Sequence, residues 1–219
     1  MATAAFETST RSPSVALQSG GVILEERLFG DRPHASDLLP ALDRLLAKAG
    51  LGVADLKLLV VGTGPGSFTG LRVATATALG IARGCGTELF GIPSGEAQCW
   101  RELAVGEEAA LLADARQSAY YFAHYRRLES GIEVLKAPCL IRPSELAALV
   151  GGQLRIFAEP SLDLATTLGA EVRARLSLGT VPSAAALLEL GVLRHAREGA
   201  HTAAALEPLY LRAFGAPAK

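Results

Sequence analysis

Nine residues constrain this chain more than any others: Gly62-Thr63-Gly64-Pro65-Gly66-Ser67-Phe68-Thr69-Gly70. Ahead of them Leu58-Leu59-Val60-Val61 is apolar without alternation, the pattern of a strand covered on both faces. Behind them Leu71 to Ala82 reads as a helix with Ser67 or Thr69 as its N-cap. Four glycines in the nine allow positive φ and close backbone approach. Only Arg72 and Arg83 carry charge along the helix, so it should be covered on most sides. Gly66, Gly70, Ala74, Ala78 and Ala82 recur every four residues, a small-residue stripe against which another helix can pack closely.

The loop fits none of the common phosphate or nucleophile motifs. A P-loop ends in Gly-Lys-Ser/Thr, and this one has no lysine. Counted from Gly62, the sixth position of a dinucleotide fingerprint is Ser67. Phe68 spoils the glycine-x-serine-x-glycine elbow. A tight strand-to-helix turn is the plainest reading of such a loop.

The string Gly62 to Arg72, with the small-residue helix after it, resembles the signature of the bacterial TsaB family. Phe6-Glu7-Thr8-Ser9-Thr10 followed by Ser14-Val15-Ala16-Leu17 is similar to that family's opening strand, turn and second strand. His34-Ala35-Ser36-Asp37-Leu38-Leu39-Pro40 is similar to the start of its first helix. Asp114-Ala115-Arg116 and Pro208-Leu209-Tyr210-Leu211-Arg212 match later landmarks, whereas 137–204 offers little to match. The resemblance implies an α/β fold of the actin/Hsp70/sugar-kinase superfamily (ASKHA), with two ribonuclease-H-like halves of mixed β-sheet flanked by helices. It also implies a non-catalytic scaffold that pairs with TsaD, with the ATPase TsaE as a further partner. Their shared product is threonylcarbamoyladenosine beside the anticodon of tRNAs that read codons beginning with A.

Read in order, Ala2–Glu7, Ser14–Ser19 and Val22–Phe29 are strands, the last two joined at Gly20-Gly21. Leu38, Leu42, Leu45, Leu46 and Ala49 have helical spacing over Asp37–Ala49, and Gly50 closes that helix. Glu88–Ile92 is a strand and Ser94–Leu103 a helix. A break at Glu107-Glu108 separates a first half, 1–103, from a second, 104–219. Strands are predicted at Ala109–Asp114, Ala119–Arg126, Ile132–Leu135 and Leu154–Ala158. Helices are predicted from Pro143 to Val150 and over Ser183–Glu198, the second capped by Ser183.

Composition narrows the partners. Lys and Arg number 21 against 22 Asp and Glu, a net charge of −1. The chain alone should therefore hold tRNA only weakly, meeting it through the complex. Half of the residues are hydrophobic, yet no apolar run reaches the roughly 20 residues of a membrane helix. That excess points to a buried interface, and to a homodimer when the chain is alone. Cys85, Cys99 and Cys139 form no Cys-x-x-Cys pair, as expected in a reducing compartment. The first residues lack the basic region and apolar core of a secretion signal, so the cytoplasm is the expected location.

The expected partner surface is Leu38, Leu42 and Leu45 on one helix with Leu71, Ala74, Thr75, Ala78 and Leu79 on the other. In the superfamily's enzymes, carboxylates end the first strand of each half; here Glu7 and Asp114 occupy those places. With Thr8, Ser9, Gly64 and Gly66 they form a candidate vestige of a phosphate or nucleotide site. The family has aspartate where Glu7 stands, and one more methylene displaces the carboxylate from in-line geometry. No catalytic residue and no metal are expected, because His34, His124, His195 and His201 include no pair spaced i, i+4. His34 is read as structural or interfacial. No cofactor is assigned, although nucleotide at the complex interface stays open. The competing reading is a free-standing phosphotransferase or ATPase using Glu7 and Asp114.

Overall fold

The computed structural model describes residues 2–28, 37–115, 118–151, 154–158, 162 and 173–211. They form two units, Met1–Gln98 with Pro182–Leu209, and Cys99–Val181 with Tyr210–Lys219. This differs from a division at residue 103. The last helix belongs with the first unit, because its apolar side covers the first sheet.

The first sheet contains β1 (Ala2–Glu7), β2 (Ser14–Ser19), β3 (Val22–Arg27), β4 (Leu56–Gly62) and β5 (Glu88–Ile92), in the order β3-β2-β1-β4-β5. The first three make an antiparallel meander, and β4 and β5 join in parallel. β1, and β4 from Leu58 onward, are buried on both faces, which explains the unbroken apolar run Leu58–Val61. On one face Ala4, Phe6, Val15, Leu17, Leu59 and Val61 pack against α1 (Leu38–Lys48) and α2 (Phe68–Cys85). The other face lies against the last helix, where Gly191 is needed because a Cβ there would collide with Val60.

Local chemistry sets the helix ends. The Ser67 hydroxyl, rather than that of Thr69, accepts the Gly70 amide at the start of α2, and Gly86, left-handed at φ 69°, stops the helix. α3 (Ser94–Glu102) follows β5. β3 ends at Arg27; Phe29 lies outside the described residues, as does His34.

The second unit repeats the plan. β6 (Glu108–Asp114), β7 (Tyr120–Leu128), β8 (Gly131–Ile141), β9 (Arg155–Ala158) and β10 (Leu176–Leu178) are ordered β10-β9-β6-β7-β8. β6, β7 and β8 are antiparallel, whereas β9 and β10 are parallel to β6. β8 runs well beyond the expected Ile132–Leu135. As an edge strand it tolerates Pro138, and its pairing with β7 is irregular around His124. β10, only three residues long, has too little pattern to be read from sequence. α4 (Pro143–Leu149) opens on proline at its first turn and buries Leu146. α5 (Ala184–Glu198) then returns to the first unit, its N-terminus held by Ser183, by the Ser14 hydroxyl and by Glu25. Both sheets thus have the ribonuclease-H-like order, and the fold is α/β of the actin/Hsp70/sugar-kinase type.

Candidate functional site

The glycine loop closes on the end of β1. Ser67 donates its amide to the Ser9 carbonyl at 2.6 Å. A Cβ at Gly66 would strike that same carbonyl, and one at Gly70 would strike the carbonyl of Thr8. These two glycines are therefore explained by the chain's own backbone, which lies where a side chain would otherwise be. Gly64, at φ 88°, accepts the Ser94 amide at 3.0 Å and donates its own N–H to the Ser94 hydroxyl at 3.2 Å. Glu7, Thr8, Ser9, Gly64 and Gly66 thus meet at one place. Ser94, which completes it, carried no sequence signal beyond starting a helix after Pro93.

Glu7 lies at the centre, fully buried. Its Oε1 accepts the Ser9 amide at 2.6 Å. Its Oε2 lies where a Cβ at Gly62 would stand, and the Thr8 and Ser9 side chains are buried beside it. Burial pushes the Glu7 carboxyl above the ordinary carboxylate range, and the polar groups of Ser9, Ser94 and Thr8 only partly oppose this. Burial thus makes charge on this carboxyl costlier than in water, and a charged carboxylate is what phosphate chemistry uses to hold a metal or orient water.

Asp114 occupies the matching position in the second unit, at the end of β6 opposite Tyr120, and is only half-buried. The two carboxyl groups fall in different units and different surroundings. Among the described residues, no group of three or more His, Cys, Asp and Glu could hold a metal ion. No described helix is long and apolar enough to cross a membrane.

The expected partner surface needs correcting. Leu38, Leu42, Leu45, Leu71, Ala74 and Ala78 are at most 2% exposed, packed within the chain's own first unit. Thr75 and Leu79 are half-buried. Thr75 reaches the Leu206 carbonyl at 3.5 Å, and Leu79 packs on the core. The physical reason is that the sheet claims the most apolar side of each helix. What α2 presents to solvent is a different small-residue row, Ala76, Gly80 and Gly84, with Arg72 and Arg83 beside it. α1 presents Leu39, Pro40, Asp43, Arg44, Ala47 and Lys48. A Cβ at Gly80 or Gly84 would meet nothing within 4 Å.

Comparison with known proteins decides the family. A family model described as "TsaD: tRNA N6-adenosine threonylcarbamoyltransferase" matches residues 6–177. The chain belongs to this family, within its TsaB group. The tRNA threonylcarbamoyladenosine biosynthesis protein TsaB of Escherichia coli K12 is 33% identical over 131 residues, covering 58% of this chain and 56% of that protein. TsaB of Haemophilus influenzae is 37% identical over 125 residues, covering 56% and 53%. The chain spans about half the length of the curated relatives it matches. The solved structure of YeaZ from Pseudomonas aeruginosa superposes with a TM-score of 0.83 at 27% identity, over 96% of this chain and 99% of that one.

Proposed function

We propose that this chain is a non-catalytic subunit in the formation of threonylcarbamoyladenosine on tRNA, acting by pairing with a TsaD-type transferase. The family match supports the pathway and the kind of partner. The observation that carries the non-catalytic part is the closed loop. Its glycines receive the chain's own Thr8 and Ser9 carbonyls, and the carboxyl it encloses is fully buried. TsaE and tRNA would be met through the pair.

The pairing surface is then the outward side of α2, where Ala76, Gly80 and Gly84 allow a partner helix close approach. Gly80→Glu tests this, because its side chain enters open space in the lone chain. An unpaired charge in a close interface costs about 2–5 kcal/mol, so affinity for the TsaD-type partner should fall by roughly thirtyfold or more, with the thermal midpoint no lower. Unchanged affinity would reject the surface. Micromolar nucleotide binding with turnover by the isolated chain would reject the non-catalytic reading and favour a phosphotransferase.

A further inference from the structure

β5 is the open edge of the first sheet, so one side of its backbone lacks a strand partner. The segment after α5 covers it. Gly199 ends the helix, and the His201 amide donates to the Leu89 carbonyl at 2.8 Å. The next free amide on that edge, Gly91, donates to His201 Nδ1 at 3.1 Å. The imidazole thus stands in for the carbonyl a neighbouring strand would offer. Its ring lies on that of Phe90, centroids 3.9 Å apart and planes 23° from parallel. Further along, Leu206 is buried in the core, its carbonyl accepts from Thr75 of α2, and the Leu209 amide donates to the Thr63 carbonyl at 2.8 Å. One strap therefore joins the edge of β5 to α2 and to the first residues of the glycine loop.

We propose that His201 is a proton-operated clip, holding the strap 199–209 on the edge of β5 while neutral and freeing it in mild acid. A nitrogen that accepts a backbone N–H has no proton of its own. Adding one sets two donors, Gly91 N–H and Nδ1–H, against each other. The groups facing the ring are Glu198, Arg194 and His195 of α5. Arg194 is already committed to Glu96 and Glu198, and His195 stands 2.8 Å from Glu88 without hydrogen-bond geometry. Burial lowers the His201 pKa, with Arg194 and His195 acting the same way and Glu198 opposing them. The direction gives the sign. The clip's contribution is complete above the unfolded histidine value and is lost as pH falls through the lowered folded value.

The test follows amide exchange and ring nitrogen resonances in the full chain from about pH 7.5 to about pH 4.5. In the unmodified protein, protection of the Gly91 and Leu209 amides should drop by roughly tenfold or more, in step with protonation of His201 Nδ1. His201→Asn keeps an acceptor at a similar reach without titrating near neutrality, and its Gly91 protection should not follow pH. His201→Phe keeps a ring for Phe90 but no acceptor, and should leave Gly91 unprotected throughout. The proposal is overturned if protection in the unmodified chain ignores the state of His201. It is equally overturned if His201→Asn follows pH as the unmodified chain does, which would assign the transition to Glu198, Glu96 or His195. The ring resonances of the unmodified chain decide the matter even if a variant fails to fold.

Discussion

The two units share one strand order and differ in how firmly each is closed. In the first, the helix that follows the meander, α1, spans 11 residues and buries Leu38, Ala41, Leu42, Leu45 and Leu46. In the second, the helix that follows the meander, α4, has seven residues and buries Leu146 alone within its span. The first unit wraps a glycine loop around the carboxyl that ends its first strand. The second leaves Asp114 half-buried, beside parallel strands of four and three residues. The topology has thus been kept twice, while the helix after the meander and the carboxyl that ends the first strand are more deeply buried in the first unit among the described residues. The first unit is also the one that presents the partner surface proposed above.

The largest effect should come from Ala78→Glu. Ala78 has no exposure, and a glutamate there combines overpacking with a buried charge, so we expect a loss of at least about 4 kcal/mol in urea unfolding. A stable variant that only loses its partner would return Ala78 to the interface and undo the distinction between inward and outward rows. In the second unit, Leu146→Ala should cost about 3 kcal/mol through its cavity. A cost near zero would mean that α4 is hardly needed, and the contrast between the units would sharpen. Gly66→Ala should cost about 2 kcal/mol by forcing the loop off Ser9. Neutral behaviour would show that the loop is not fitted to β1 at all.

Glu7 gives a pH test of the same loop. Its folded pKa is raised, so the fold binds the proton more tightly than the unfolded chain does. Stability from this group is full below the unfolded value and declines as pH rises through the folded one, by at most about 1.4 kcal/mol per pH unit. Unfolding measured across that range should show the decline, and Glu7→Gln should flatten it. A decline that persists in the variant would move its cause elsewhere. The smallest effect is a gain. Gly80→Ala fills open space on an exposed helix face and should add about 0.5–1 kcal/mol in thermal unfolding. A loss would mean that the outer row is packed against something in the chain alone.

Much of this was legible from residues. Apolar runs and turn signals located β1, β2, β5 and β6, and the two serine caps and Pro143 placed the starts of α2, α5 and α4. β10 was not legible, because three residues carry no periodicity, and β8 was read short because proline usually marks an end. For the site, Glu7, Thr8, Ser9, Gly64 and Gly66 lie together in the first unit and Asp114, grouped with them from the sequence, lies in the second; the grouping alone did not show what fills the space between them.

What sequence determined by itself is local. A residue's backbone preferences, its capping hydroxyls and the period of its apolar neighbours act within a few positions, so they specify elements and their order. Three decisions needed the tertiary structure. α2 carries small or apolar residues nearly all round, so its own pattern could not say whether Ala78 or Gly80 faces the sheet; the sheet's shape chose. α5 follows the second unit's strands in the chain yet buries its apolar side on the first sheet, a choice between distant surfaces. The glycines at 66 and 70 could have admitted a phosphate or a backbone, and only the position of Thr8 and Ser9, some sixty residues earlier, shows that a backbone is there. Each decision depends on which distant surface supplies the contact, and no local preference encodes that.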